Sequence, residues 1–286
     1  MNISNSWTDY ECIATGDGEK LERWGNVILN RPDPQIIWNK TNNPVWNTWD
    51  GYYERSKTGG GSWHFKHKLK DYWTINYKDL KFKVSPTNFK HTGIFPEQAT
   101  NWDYIIDKIK ESNQKEFRVL NLFAYTGCAT MAASSAGASE VVHVDSSKGM
   151  IDWAKENMKL SGLENNRIRF IQDDVLKFLE KEKRRGRTYH AIIMDPPSYG
   201  RGPNKEVWKL EDNLQELLNK TKDILDKDFS FLLINCYTTG FSPTSLYNIL
   251  SLTFKNNKIL TGEIGLPVTE NNLVLPCGIY GKVSKY

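Results

Sequence analysis

The 286-residue sequence has no run approaching the roughly 20 uncharged apolar residues that a membrane-spanning helix needs, so no membrane segment is expected. Its start, Met1 to Glu19, lacks the basic and apolar stretches of a secretory signal, and the expected address is the cytoplasm. Cysteine is scarce and scattered. Cys12, Cys128, Cys236 and Cys277 form no CxxC pair and no Cys/His cluster, which gives neither a zinc knuckle nor a disulfide scaffold support and leaves no metal site to expect. An excess of one charge is missing too, since 38 basic against 34 acidic side chains leave only +4. With 39% hydrophobic and 25% charged residues, disordered and collagen-like classes are excluded, and the chain is long enough for one large domain or two smaller ones.

Tryptophan is plentiful but uneven. Seven of the ten (Trp7, Trp24, Trp38, Trp46, Trp49, Trp63 and Trp73) fall in the first 73 positions, which suggests a separate N-terminal region. Turn signals recur there at Gly16-Asp17-Gly18, Arg31-Pro32-Asp33-Pro34, Asn43-Pro44 and Gly59-Gly60-Gly61, between short aromatic and β-branched runs. Residues 1–100 therefore read as a small β-rich domain. Its tryptophans serve either as packing or, beside Lys66, His67, Lys68 and Lys70, as faces on which bases stack.

Residues 101–286 change to alternating strands and helices. Apolar runs at Phe117 to Phe123, Glu140 to Asp145, Ile168 to Ile171, Tyr189 to Asp195 and Phe229 to Cys236 suit strands buried on both faces of a parallel sheet. Helical patterns separate them at Ala129 to Ala138, Ser146 to Ser161, Val175 to Arg184 and Leu210 to Leu225, with another at Pro243 to Leu252. The expectation is a doubly wound α/β fold closed by an antiparallel hairpin, Lys258 to Leu266 with Asn272 to Lys282.

In such folds ligands bind beyond the carboxyl ends of the strands, and that is where the informative residues lie. Strand one runs into Asn121-Leu122-Phe123-Ala124-Tyr125-Thr126-Gly127, which has one of the glycines a dinucleotide loop needs and disfavours a phosphate-bearing ligand. Strand two ends at Asp145, where a carboxylate can take both hydroxyls of a ribose. After strand three, Asp173-Asp174-Val175 offers a carboxylate to an adenine amine, and an acid there is equally a helix cap. Together these describe a nucleoside site without a pyrophosphate. Strand four ends in Asp195-Pro196-Pro197-Ser198-Tyr199-Gly200, whose prolines stiffen the backbone and remove two N–H donors, leaving acceptors for a planar, amino-bearing substrate.

These motifs resemble class I S-adenosylmethionine-dependent methyltransferases, and within them the bacterial group similar to 23S ribosomal RNA cytosine-C5 methyltransferase I. The segment Lys90-His91-Thr92-Gly93-Ile94-Phe95-Pro96-Glu97-Gln98 resembles that group's motif ahead of the sheet, which caps the cofactor. The resemblance runs from about Val84 to the C-terminus. It implies a Rossmann-like sheet, mostly parallel, that binds S-adenosyl-L-methionine. Asp145 would hold the ribose and Asp174 the adenine amine, with Asn121, Phe123, Tyr125, Thr126 and Gly127 around the methionine moiety and Phe95, Gln98 and Asp195 lining the same pocket. It implies methylation of ribosomal RNA, and it departs from the group in opening without the usual RNA-binding PUA domain.

C5 of a pyrimidine is a poor nucleophile, so its methylation calls for a thiolate that adds at C6 and a base that later removes the C5 proton. Cys236, after strand five, is the cysteine placed for this, and it sits in Asn235-Cys236-Tyr237 where the relatives commonly have Ser-Cys-Ser. Asp195, Pro196 and Cys236 are thus the catalytic candidates. Three readings stay open: C5 methylation through Cys236, transfer to a nitrogen of a base or protein amide held by Asp195 and the Pro196 carbonyl, and a non-catalytic cofactor- or RNA-binding scaffold. The run Lys177 to Arg187, with six cations and two anions, either contacts RNA phosphate or complements a helix end. Tyr199 to Lys209 reads as a substrate lid, because Gly200, Gly202 and Pro203 break regular structure.

Overall fold

A computed structural model describes residues 1–56, 60–88, 90–201 and 207–285. Gly59 of the triple-glycine loop and residues 202–206 of the expected lid lie outside the described residues. Two compact units form: Met1–Thr100 with Ile264–Cys277, and Asn101–Glu263 with the residues from Gly278 onward.

The first unit is built from β1 (Asn2–Ile3), β2 (Tyr10–Gly16), β3 (Glu19–Trp24), β4 (Val27–Pro32), β5 (Gly51–Arg55), β6 (Gly61–Phe65), β7 (Trp73–Tyr77) and β8 (Leu80–Val84). The order β2-β3-β4-β5-β6 makes one sheet, and β7 pairs with β8 as a hairpin. Asp17 and Gly18 both adopt positive φ between β2 and β3, the geometry of a tight hairpin turn. Trp24 is fully buried, while Trp7, Trp38, Trp63 and Trp73 each donate an indole N–H to a backbone carbonyl. Most of the tryptophans thus act as packing struts. Trp46 and Trp49 are covered by the ammonium groups of Lys40 and Lys66 at 4.3 and 4.4 Å.

A buried ion pair organises this unit. Arg31 clasps Glu22 through two bonds of 2.6 and 2.8 Å, Tyr10 donates to the same carboxylate, and Arg31 also donates to the Lys90 carbonyl at 2.9 Å. Burial opposes the charge on Glu22, but Arg31 and Lys20 outweigh it and hold the carboxyl below its usual range.

The second unit contains α1 (Ala99–Glu111, from Asn101 on), β9 (Arg118–Leu122), α2 (Cys128–Ser135), β10 (Glu140–Asp145), α3 (Lys148–Leu160), β11 (Ile168–Gln172) and α4 (Val175–Arg184). It continues with β12 (Ala191–Met194), the short pair β13 (Tyr199–Arg201) and β14 (Val207–Lys209), α5 (Leu210–Lys222), β15 (Phe231–Cys236) and α6 (Pro243–Thr253). The long strands β16 (Lys258–Pro267) and β17 (Val274–Ser284) supply residues to both units. Strand order is β11-β10-β9-β12-β15-β17-β16, parallel from β11 to β15, with β17 antiparallel to β15. Leu120, Leu122, Ile192, Leu232 and Ile234 are completely buried, which is why these strands read as unbroken apolar runs. None of the described helices is long and apolar enough to cross a membrane.

Two differences from the sequence reading have physical causes. The fourth strand is shorter than its apolar run: Tyr189 forms an isolated bridge with Leu225, and Asp195, followed by two prolines, falls outside β12. Helix α1 was not expected. Its buried Trp102, Ile105 and Ile109 recur at spacings of three and four, the signal of an amphipathic helix.

Candidate active site

Strand order reverses between the parallel neighbours β9 and β12, so the crevice beyond their carboxyl ends is the binding position this topology provides. The loop after β9 is unusual there. Phe123, Tyr125 and Gly127 have φ of 53, 51 and 82°, so two large side chains occupy the left-handed region that normally suits glycine. Such strain costs on the order of 1–3 kcal/mol per residue and persists where the surrounding structure enforces it. At Gly127 a Cβ would lie 3.0 Å from the Ala154 Cβ and 3.3 Å from His143, so only glycine fits without a shift.

The loop is anchored from beneath. Ala124 N–H donates to the Val144 carbonyl, Asn157 donates to the Thr126 carbonyl at 2.9 Å, and Tyr125 N–H donates to Asp145 Oδ2 at 2.9 Å. Asp145 Oδ1 accepts from Ser147 N–H at 2.8 Å. Burial pushes the Asp145 carboxyl above its ordinary range, while the two backbone donors pull it down. Asn121 is 3% exposed and spends its amide on Thr130 Oγ1, which also contacts His143 Nδ1 at 2.9 Å. Asn121, beneath the loop, and Thr126, within it, are thus both buried. Asp174 caps α4, its carboxylate accepting from Lys177 N–H at 3.0 Å, whereas Asp173 is paired with Lys181 at 2.6 Å.

Beyond β12, Asp195-Pro196-Pro197 is fixed on several sides. Asp195 N–H points to the Leu122 carbonyl at 3.4 Å, the Pro197 carbonyl accepts the indole N–H of Trp208 at 2.6 Å, and Trp208 packs on Phe123 with ring centres 5.2 Å apart. Ser198 accepts from Thr238 Oγ1 at 2.7 Å, which ties this turn to the loop after β15. Next to it opens a largely apolar cavity of about 450 Å³, lined by Leu210, Leu214, Thr238, Thr239, Phe241 and Ile249 among others. Trp208, Thr238 and this cavity carried no motif, so the sequence reading missed the roles of Thr238 and the cavity and placed Trp208 only within a lid.

Cys236 closes β15 and is 1% exposed. Burial, reinforced by the nearby charge of Asp195, pushes its thiol well above the ordinary cysteine range. Gly278, opposite, lets β17 approach, since a Cβ there would lie 2.9 Å from the Cys236 carbonyl oxygen. Phe95 and Gln98 belong to the first unit, where Ser4 Oγ and Trp7 Nε1 both donate to the Pro96 carbonyl and fix the segment between them.

This arrangement suits a nucleoside-bearing cofactor. The ionisable Asp145 at the end of β10 keeps lone pairs beyond its two backbone bonds, and the strained loop lacks a glycine-rich phosphate cradle.

Comparison with known proteins supports the same assignment. Residues 41–241 match the family model described as S-adenosylmethionine-dependent methyltransferase. A solved SAM-dependent methyltransferase from Agrobacterium tumefaciens superposes with a TM-score of 0.94 at 34% identity, covering 100% of this chain and 93% of that one. Ribosomal RNA large subunit methyltransferase I of Enterobacter sp. is 42% identical over 52% of this chain and 33% of its own length. Ribosomal RNA large subunit methyltransferase K/L of Shewanella frigidimarina is 33% identical over 54% of this chain and 21% of its own. The chain thus spans a third or less of the length of these two curated relatives. Its family model and its fold agree that the chain belongs to the S-adenosylmethionine-dependent methyltransferases.

Proposed function

We propose that the chain methylates RNA, with a base of large-subunit ribosomal RNA as acceptor. The rigid Asp195-Pro196-Pro197 turn at the switch point carries this reading, because it offers a planar base fixed acceptors beside the cofactor loop. The names of the ribosomal RNA methyltransferase relatives support the choice of substrate. When bound, S-adenosylmethionine supplies an electrophilic methyl group on a positively charged sulfur. Asp145 holds the ribose, Asp174 takes the adenine amine, the Phe123 to Gly127 loop shapes the methionine end, and Asp195 orients the acceptor base.

For C5 of a cytosine, the Cys236 thiol gives up its proton and its sulfur bonds to C6. C5 then takes the methyl group, and a base removes the C5 proton as the C–S bond breaks. The nearness of Asp195 supports this route, since a carboxylate beside the thiol is a place for its proton. The burial of Cys236 favours a second reading, transfer to a nitrogen of a base or a protein amide held by Asp195 and the Pro196 carbonyl, with Cys236 a core residue.

The test is methyl transfer from labelled S-adenosylmethionine to unmodified large-subunit ribosomal RNA and to total protein, with mass spectrometry of the digests. 5-Methylcytidine that falls by roughly a thousandfold in Cys236→Ala establishes the covalent route. Turnover retained in Cys236→Ala with an N-methylated product removes that route. Label on protein alone refutes the RNA reading.

A further inference from the structure

The basic run after β11 is less free than its composition suggests. Lys181 is paired with Asp173, Lys183 with Asp223, and Lys220 from α5 covers Glu180. Lys181 and Lys183 of α4 therefore satisfy the protein's own acids, and beyond the helix Arg185 and Arg187 carry the positive charge.

There, at the amino ends of the parallel strands, a cavity of about 560 Å³ is lined by Arg118, Arg167, Arg185, Arg187, Glu116 and Glu140 with Ser139, Gly186 and Thr188. Arg118 begins β9, Glu140 begins β10 and Arg167 precedes β11, so the cavity is on the opposite rim of the sheet from the cofactor loop. A five-residue strand separates the two by roughly 17 Å. Gly186, with φ of 63°, turns the chain between Arg185 and Arg187 so that both reach the cavity wall.

The wall holds four guanidinium groups against two carboxylates, one of which, Glu116, is exposed and lies 3.8 Å from Arg118. Glu140 and, behind the wall, Glu182 are 2% and 1% exposed. Arg187 serves both, bonding Glu140 directly and reaching Glu182 at 3.5 Å. Arg167 meets Glu140 only through Nε at 3.1 Å, and Arg185 meets Glu182 only through Nη1 at 2.8 Å. Their side chains are 70% and 60% exposed, so the rest of each donor fork faces solvent. Arg187 carries one charge against the two buried acids and Arg169 approaches Glu140 at 3.8 Å, so these two balance the pair, and Arg167 and Arg185 add two further positive charges. Planar forks with spare donors match the oxygens of phosphate groups.

We propose that this basin binds adjacent phosphate groups, apart from the methyl-transfer crevice. Such phosphates are carried by an RNA backbone or by a free polyphosphate, and the inference does not depend on which atom is methylated. Binding of an unmodified large-subunit ribosomal RNA transcript and of inorganic tripolyphosphate is measured for the wild-type chain, Arg167→Gln, and Arg167→Gln/Arg185→Gln across a salt series. Arg187 is left in place to hold the buried acids, and S-adenosylhomocysteine binding and the melting curve report that the fold is intact. If the phosphates are those of RNA, the slope of log affinity against log salt falls by about 1 in the single variant and about 2 in the double. If they belong to a free polyphosphate, tripolyphosphate binding falls about tenfold or more in the double variant while the RNA slope holds. RNA and tripolyphosphate binding both unchanged in folded variants overturns the proposal.

Discussion

Replacing Asp145 with asparagine removes one charge and one acceptor from an otherwise similar shape. Each carboxylate oxygen carries one backbone donor, Tyr125 N–H at 2.9 Å and Ser147 N–H at 2.8 Å, so each keeps one lone-pair direction for a ribose hydroxyl. Asparagine has a single acceptor oxygen, and its amide N–H₂ must face either a backbone donor or a hydroxyl. One charge-assisted bond to the ligand is lost, worth about 1.5–3 kcal/mol, or roughly 10- to 100-fold in S-adenosylmethionine affinity. Folded-state stability moves less, because the raised carboxyl shows that the ionised form is disfavoured by burial, and the neutral amide relieves that penalty while loosening one loop bond. The sign in pH follows. A carboxyl raised above its unfolded value binds a proton sooner as pH falls, so wild-type cofactor affinity weakens on acidification while the asparagine variant stays flat. Titration calorimetry with S-adenosylhomocysteine at several pH values, paired with urea unfolding, measures both quantities. Affinity within twofold of wild type refutes the assignment of Asp145 to the ribose.

Gly127→Ala places a Cβ at φ of 82° and 3.0 Å from the Ala154 Cβ, and it is expected to cost about 1–3 kcal/mol in urea unfolding; an unchanged midpoint contradicts the geometry of the loop. His143 is buried, with Nε2 lacking a hydrogen-bond partner among the described residues, and burial pulls its pKa from 6.5 down to about 3. The unfolded chain therefore binds the proton first, so the neutral ring's contribution is fully present above about pH 6.5 and is lost as pH falls toward about 3. His143→Gln should show a shallower loss of stability between pH 7 and 4 than wild type, and parallel curves would exclude this histidine as the cause.

Legibility in the sequence followed the physics of burial. β10 and α4 match their sequence boundaries because an unbroken apolar run ending at Asp145 and an amphipathic stretch capped by Asp174 are local signals. Asp145, Asp195 and Cys236 could be placed at strand ends for the same reason. The left-handed conformations of Phe123 and Tyr125 could not be read, since nothing in those side chains asks for them and the surrounding structure imposes them. Nor could the pairing of Lys181 and Lys183, because their acids lie on other elements. Helix α1 left its mark at Trp102, Ile105 and Ile109, but it falls where the change of composition drew attention to a boundary instead.

Because Ile264–Cys277 belongs to the first unit, that unit is incomplete when its first hundred residues have been made. The backbone of β2 gains partners from the far end of the chain, with Thr269 N–H donating to the Cys12 carbonyl and Glu270 N–H to that of Ile13, while Ser4 N–H donates to the Gly265 carbonyl. At about 5–20 residues per second, the ribosome needs roughly 10–30 s to deliver those partners. During that interval the nascent chain presents β2 as an open edge, the kind of surface that recruits foreign strands. A fragment ending near Thr100 therefore lacks the segment from Val268 to Glu270 that covers the edge of β2.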